Sequence, residues 1–120
     1  MMKYMLLIHH GDMASPNDPE AWARLSEQEQ KEVYTGYQAI NQTPGVTPGP
    51  WMQPPEAATT VRVQDGKTLT TDGPFVTIKE ALGGTLVYEA DDLDAATELA
   101  SRIPAARMGG AVEVRPLVEG

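Results

Sequence analysis

The sequence predicts an α+β fold built on an antiparallel sheet, and three features say so. The run KYMLLIH (3–9) is apolar on both sides of its alternation, with Tyr4, Leu6 and Ile8 opposite Met5, Leu7 and His9. The segment DDLDAATELASRIP (91–104) has a clear helical period, and AVEVRPLV (111–118) alternates like a strand. Between them lies a hairpin pattern around Asp65-Gly66.

Each element follows in order. A strand apolar on both faces belongs in the middle of a sheet, so 3–9 is read as central. The polar turn HHGD ends it. Asp18 and Pro19 suit an N-cap and first helical position, giving a short helical turn at NDPEAW. Ser26 with Glu29 three residues on forms a capping box, and Val33, Tyr37 and Ile40 make the apolar stripe of the helix that follows. The segment 44–55 holds five prolines and two glycines, so it reads as an ordered loop anchored by Trp51, neither helix nor central strand. Residues 58–71 form the hairpin, with Thr59, Val61 and Val63 alternating against Thr60, Arg62 and Gln64. GTLVYEA (84–90) is the next strand. Asp92 caps the second helix, whose buried stripe is Leu93, Ala96, Leu99, Ala100 and Ile103, and Pro104 ends it. Strand, helix, hairpin, strand, helix, strand is the ferredoxin-like split βαβ order with an extra hairpin strand. Helices then cover one face of the sheet, and a homodimer stacking sheet on sheet covers the other.

Composition narrows the function classes. A chain of 120 residues is read as one domain, 1–120. Seventeen acidic against nine basic side chains, with no basic patch, argue against nucleic acid and anionic membrane surfaces as partners. The absence of cysteine excludes disulfides, thiolate metal sites and a cysteine nucleophile. YMLLI is too short for a signal peptide or membrane span, so the expected location is cytoplasmic.

The pieces KYMLLI, ATTVR, TDGPF, KEALGG, YEADDLDAATELA and GGAVEVRP occur in that order over almost the whole chain. With them the sequence resembles the YCII-related family, in its DGPF-domain branch. The resemblance implies a ferredoxin-like fold assembled as a dimeric α/β barrel. It also implies a His–Asp pair suspected of acid–base catalysis, and relatives that occur alongside sigma factors. One departure stands out: the family commonly has Ala-Glu-Thr where this chain has Val76-Thr77-Ile78, so a frequent carboxylate is missing.

Two readings of Asp72 stand side by side. As an Asx-type turn residue it accepts bonds from downstream amides beside Gly73 and Pro74; as a site residue it is a base or the orienting partner of a histidine. His9, at the strand exit, is the candidate proton carrier, because histidine titrates near neutrality. A metal site is disfavoured, since adjacent histidines point apart and no further His or Cys exists. Arg62, Phe75 and Lys79 are the candidate ligand-binding residues. Arg62 can grip a carboxylate with two bonds, and Lys79 can pair with an anion. The expected function is a small enzyme without cofactor, using His9 and Asp72 on a small molecule in a sheet cleft. The alternative is a non-catalytic module binding a small ligand or a regulatory protein through the dimer surface or around Trp51.

Overall fold

The computed structural model describes residues 1–11, 19–53, 57–73 and 82–118. Its main sheet has the strand order β2-β5-β1-β6, where β1 is Met2–His9, β2 Val46–Trp51, β5 Leu82–Ala90 and β6 Ala111–Pro116. Every neighbouring pair is antiparallel. The helices are α1 (Pro19–Ala23), α2 (Glu27–Asn41), α3 (Leu93–Ser101) and α4 (Pro104–Arg107). This is the ferredoxin-like α+β arrangement, with β1 in the centre as its two-sided apolar pattern requires.

The core lies on one side of that sheet. Tyr4, Leu6 and Ile8 are almost fully buried and pack in one cluster with Val33 and Ile40 of α2 and Ala96, Leu99 and Ala100 of α3. The capping box forms: Ser26 Oγ accepts from the Glu29 amide at 3.1 Å, and Glu29 accepts from the Ser26 amide at 3.1 Å. Asp92 caps α3 by accepting from the Ala95 amide at 2.9 Å. Leu93 departs from the expected buried stripe. It stands in the first turn of α3 and is exposed, while Ile103 beyond the helix is fully buried. Pro104 ends α3 and also opens α4 as its first residue, where its missing N–H costs nothing.

Two expectations are corrected. The proline-rich segment is not all loop, because Val46–Trp51 forms β2. It sits on the edge of the sheet, and its pairing with β5 becomes irregular between Pro48 and Trp51. An edge strand needs donors on one side only, which is why prolines are tolerated there. The hairpin, β3 (Thr59–Gln64) and β4 (Lys67–Asp72), adds no strand to the main sheet; it forms a separate two-stranded sheet. Its turn is as expected, with positive φ at Asp65 (51°) and Gly66 (74°). Asp18 lies outside the described residues. No helix among the described residues is long and apolar enough to cross a membrane.

The opposite face of the sheet is open. By register it carries Met5, Leu7 and His9 of β1 with Val87 and Thr85 of β5, and Thr47 of β2 pairs with Val87. Lys3 stands opposite Glu89, and Glu113 and Arg115 of β6 lie opposite Leu7 and Met5. This face is apolar at its centre and charge-balanced at its rim.

Burial predicts a sharp contrast in stability. Leu6→Ala, at a site 0% exposed, should cost about 2–5 kcal/mol in urea unfolding, through lost transfer energy and a cavity. Leu93→Ala, at a site 52% exposed, should cost under about 1 kcal/mol.

Candidate functional site

The sheet changes character where β1 ends. Ile8 pairs with Gly84 but His9 pairs with Leu82, so Gly83 is an extra residue and the ladder bulges there. The two glycines are needed for room. A Cβ on Gly83 would strike the His10 ring, and one on Gly84 would strike the Trp51 ring. Trp51 stacks on His10 with ring centroids 5.5 Å apart and planes at 19°. Tyr37 of α2 meets Trp51 edge-on at 4.8 Å. The Met52 amide donates to the Gly83 carbonyl at 2.8 Å and ties the end of β2 to the bulge.

The two histidines are therefore in different surroundings. His10 lies on the helix side among aromatic rings. Burial lowers its pKa below the ordinary 6.5, and the neighbouring His9 lowers it further. Neutral imidazole is its resting form at neutral pH. The Tyr37 hydroxyl is buried with no hydrogen bond of normal geometry; burial pushes its pKa to about 12, and the nearby Ala105 backbone, too poorly aligned for a full bond, opposes this more weakly. His9 faces the open side of the sheet. Its Nε2 lies 3.7 Å from Glu113 Oε1, and Glu113 in turn pairs with Arg115. That chain of three polar side chains crosses from β1 to β6 over the end of the sheet.

Asp72 closes β4 on the hairpin and is exposed. Its corner is held by the backbone. Gly73, at a φ of 100°, donates its N–H to the Ala58 carbonyl at 2.7 Å, and the Thr60 hydroxyl donates to the Gly73 carbonyl at 2.7 Å. Arg62 is exposed on β3, opposite Leu69. Phe75 and Lys79 lie outside the described residues, as do the amides downstream of Gly73 that would complete the expected Asx turn. His9 and Asp72 thus stand on different sheets of the chain, and among the described residues the carboxylate beside His9 is that of Glu113. Among the described residues no group of three or more His, Asp or Glu side chains is placed to hold a metal ion.

Three contributors escaped the sequence reading. Glu113 was legible as an outward residue, because Val112 and Val114 alternate around it; its meeting with His9 depends on the β1–β6 register. Parity puts His10 on the face of Tyr4, Leu6 and Ile8, but alternation alone does not say that this face meets the helices, and its burial comes from Trp51, which reaches it because the proline-rich segment pairs with β5. Tyr37 was read as part of the helix stripe, and its edge-on contact with Trp51 depends on the same pairing.

An open antiparallel sheet with helices on one face and polar side chains at one end defines a ferredoxin-like α+β protein. The sequence comparison is more specific: a family model for the YCII-related domain matches residues 2–119. The chain belongs to the YCII-related family. It is also similar to an uncharacterised protein of Rhizobium meliloti (strain 1021), 31% identical over 106 residues that cover 84% of this chain and 86% of the relative.

The depressed His10 pKa makes stability depend on pH in a defined window. The unfolded chain takes up a proton near 6.5 and the folded chain only at lower pH, so stability is full above 6.5 and falls as pH drops below it. NMR titration should place His10 below 6.5, and Trp51→Ala should move it back towards that value as water enters. In His10→Gln the slope of melting temperature against pH just below 6.5 should shrink; an unchanged slope assigns it to other groups.

Proposed function

We propose that the protein is a homodimeric enzyme without cofactor, doing acid–base chemistry on a small molecule at the end of β1, with His9 as the proton carrier. The observation that carries this reading is the position of His9. It is half-buried at the exit of the central strand, on the open face, with a carboxylate 3.7 Å from Nε2. Such a carboxylate can orient the ring, and an imidazole at a strand exit is a side chain suited to carrying a proton near neutrality. Glu113 is a positioning residue in this scheme. Asp72 is the base or second carboxylate brought by the hairpin, and Arg62, Phe75 and Lys79 are the side chains that would anchor an anionic ligand.

Three properties support the homodimer. Met5, Leu7 and Val87 lie half-buried at the centre of an uncovered sheet face. That face has two cationic and two anionic residues, Lys3, Arg115, Glu89 and Glu113, in a chain of net charge -8. Two copies can therefore meet there without the repulsion that the acidic remainder would impose. The accessible surface is 8058 Å², against roughly 6,300 Å² for a compact chain of 13.0 kDa. The difference, on the order of 1,700 Å², is within what an obligate dimer buries per protomer.

A second reading keeps the fold and removes the chemistry: a ligand-binding or protein-interaction module working around Trp51. Trp51 is 46% exposed on the edge strand, and that exposure favours it.

The readings part in one experiment. A panel of small carboxylic and keto acids is screened by thermal shift, and turnover of any ligand found is followed by NMR. In the catalytic reading, His9→Gln and Asp72→Asn lose turnover by about 100-fold or more while folding and ligand binding persist. In the module reading, those variants bind normally and Trp51→Ala does not. For the dimer, Leu7→Asp should give a folded monomer by sedimentation velocity, and a wild-type monomer at all concentrations refutes sheet stacking.

A further inference from the structure

Among the described elements, the hairpin has few ties to the rest of the fold. Neither β3 nor β4 packs substantially on another described element of the chain. Every residue of β4 is exposed, and Val61 and Val63 are 59% and 66% exposed. A two-stranded hairpin alone in water is marginal at best and needs a surface beneath it.

The pairing gives the arm two unlike faces. Val61 lies opposite Thr70, Val63 opposite Thr68 and Thr59 opposite Asp72, so one face is five β-branched side chains ending in a carboxylate. The other carries Arg62 opposite Leu69 and Gln64 opposite Lys67. The first face has the flatness and apolar content of a contact surface, and the second has the long charged stems that suit water. The arm is also balanced in charge. Arg62 and Lys67 balance Asp65 and Asp72, so within a chain of net charge -8 the hairpin is neutral.

We infer that the hairpin is an exchange arm: each protomer lays the Thr59–Val61–Val63 face of β3 and β4 on a second copy of this chain. This rests on the homodimer proposed above and goes beyond sheet stacking, since it assigns the dimer a second, reciprocal contact. The uncovered surface is large enough to hold both, and both contact faces are exempt from the acidic excess. A twofold assembly uses the arm twice, so each exposed Val61–Val63 face is covered by the same operation that covers the sheet. By parity Asp72 shares the covered face, so its carboxylate turns to the partner and any site that includes it is shared between protomers.

Hydrogen exchange and sedimentation test the arm separately from the dimer. Peptides spanning 59–72 should be protected in the dimer and lose protection when the protein is diluted to monomer. Val61→Ser with Val63→Ser should weaken dimerisation by about 10- to 100-fold with the circular dichroism of the body unchanged. If hairpin amides exchange at unfolded rates in an intact dimer, or if the double variant dimerises as tightly as wild type, the arm is refuted and sheet stacking stands. Protection that is equal in dimer and monomer also refutes it, because the cover is then supplied by the same chain. A protein monomeric at every concentration refutes the homodimer itself and the arm with it.

Discussion

The structure depends on a central strand that is apolar on both faces. Tyr4, Leu6 and Ile8 commit one side of β1 to α2 and α3, and this commitment is strong because each fully buried large apolar side chain contributes about 1.5–3 kcal/mol. Alternation then forces Met5, Leu7 and His9 to the other side, where none of the described helices packs. A one-residue slip would exchange the two sets, so the register that builds the core also decides which histidine is buried. His10, one residue beyond β1, falls on the helix side and meets Trp51; His9 falls on the open side and meets Glu113. The chemistry at the end of the strand is thus a consequence of packing at its middle.

The bulge at Gly83 turns that consequence into a specific shape. Without the bulge, Gly83 itself would stand opposite His9 and the ladder would run on without the recess that the His10 ring fills. The absence of side chains at Gly83 and Gly84 admits two rings, and Tyr37 closes on the second of them. An aromatic enclosure of this kind excludes water, which is what holds His10 neutral. It also joins three elements distant in sequence: α2, the end of β2 and the start of β5. Trp51 is consequently part of the architecture as well as half-exposed, and the two roles need not conflict, since one face of the indole packs while another meets solvent.

Much of the fold was legible because its signals are local. The Ser26–Glu29 capping box, the Asp92 cap, the Asp65-Gly66 turn and the alternation of 3–9 each act within a few residues. The misreadings concern the edge of the sheet. Prolines at 48 and 50 argue against a central strand, and that argument held, yet an edge strand asks for half the hydrogen bonds and the structure puts one there. Once Val46–Trp51 takes the edge, the hairpin has no place in the main sheet, so both corrections have one cause. The site was legible in its residue types but not in its pairings. Which carboxylate meets His9 depends on the register of β1 with β6, and no pattern within either segment states it.

Charge distribution carries the synthesis a step further than burial does. A net charge of -8 on 120 residues disfavours self-association in general, so a surface that escapes the excess is informative. The open face of the sheet and the hairpin are among the surfaces that escape it, and both also expose β-branched or aliphatic side chains. The acidic residues concentrate instead on the helices and their caps: Glu27, Glu29 and Glu32 on α2, and Asp92, Asp94 and Glu98 at α3. Glu27, Glu29 and Asp94 stand in first turns, where they favour the positive ends of the helix dipoles, and the acidic set as a whole keeps that side of the molecule from sticking. An acidic helical layer on one side of the sheet and an apolar, charge-balanced surface on the other divide the molecule, and His9 lies on the charge-balanced side.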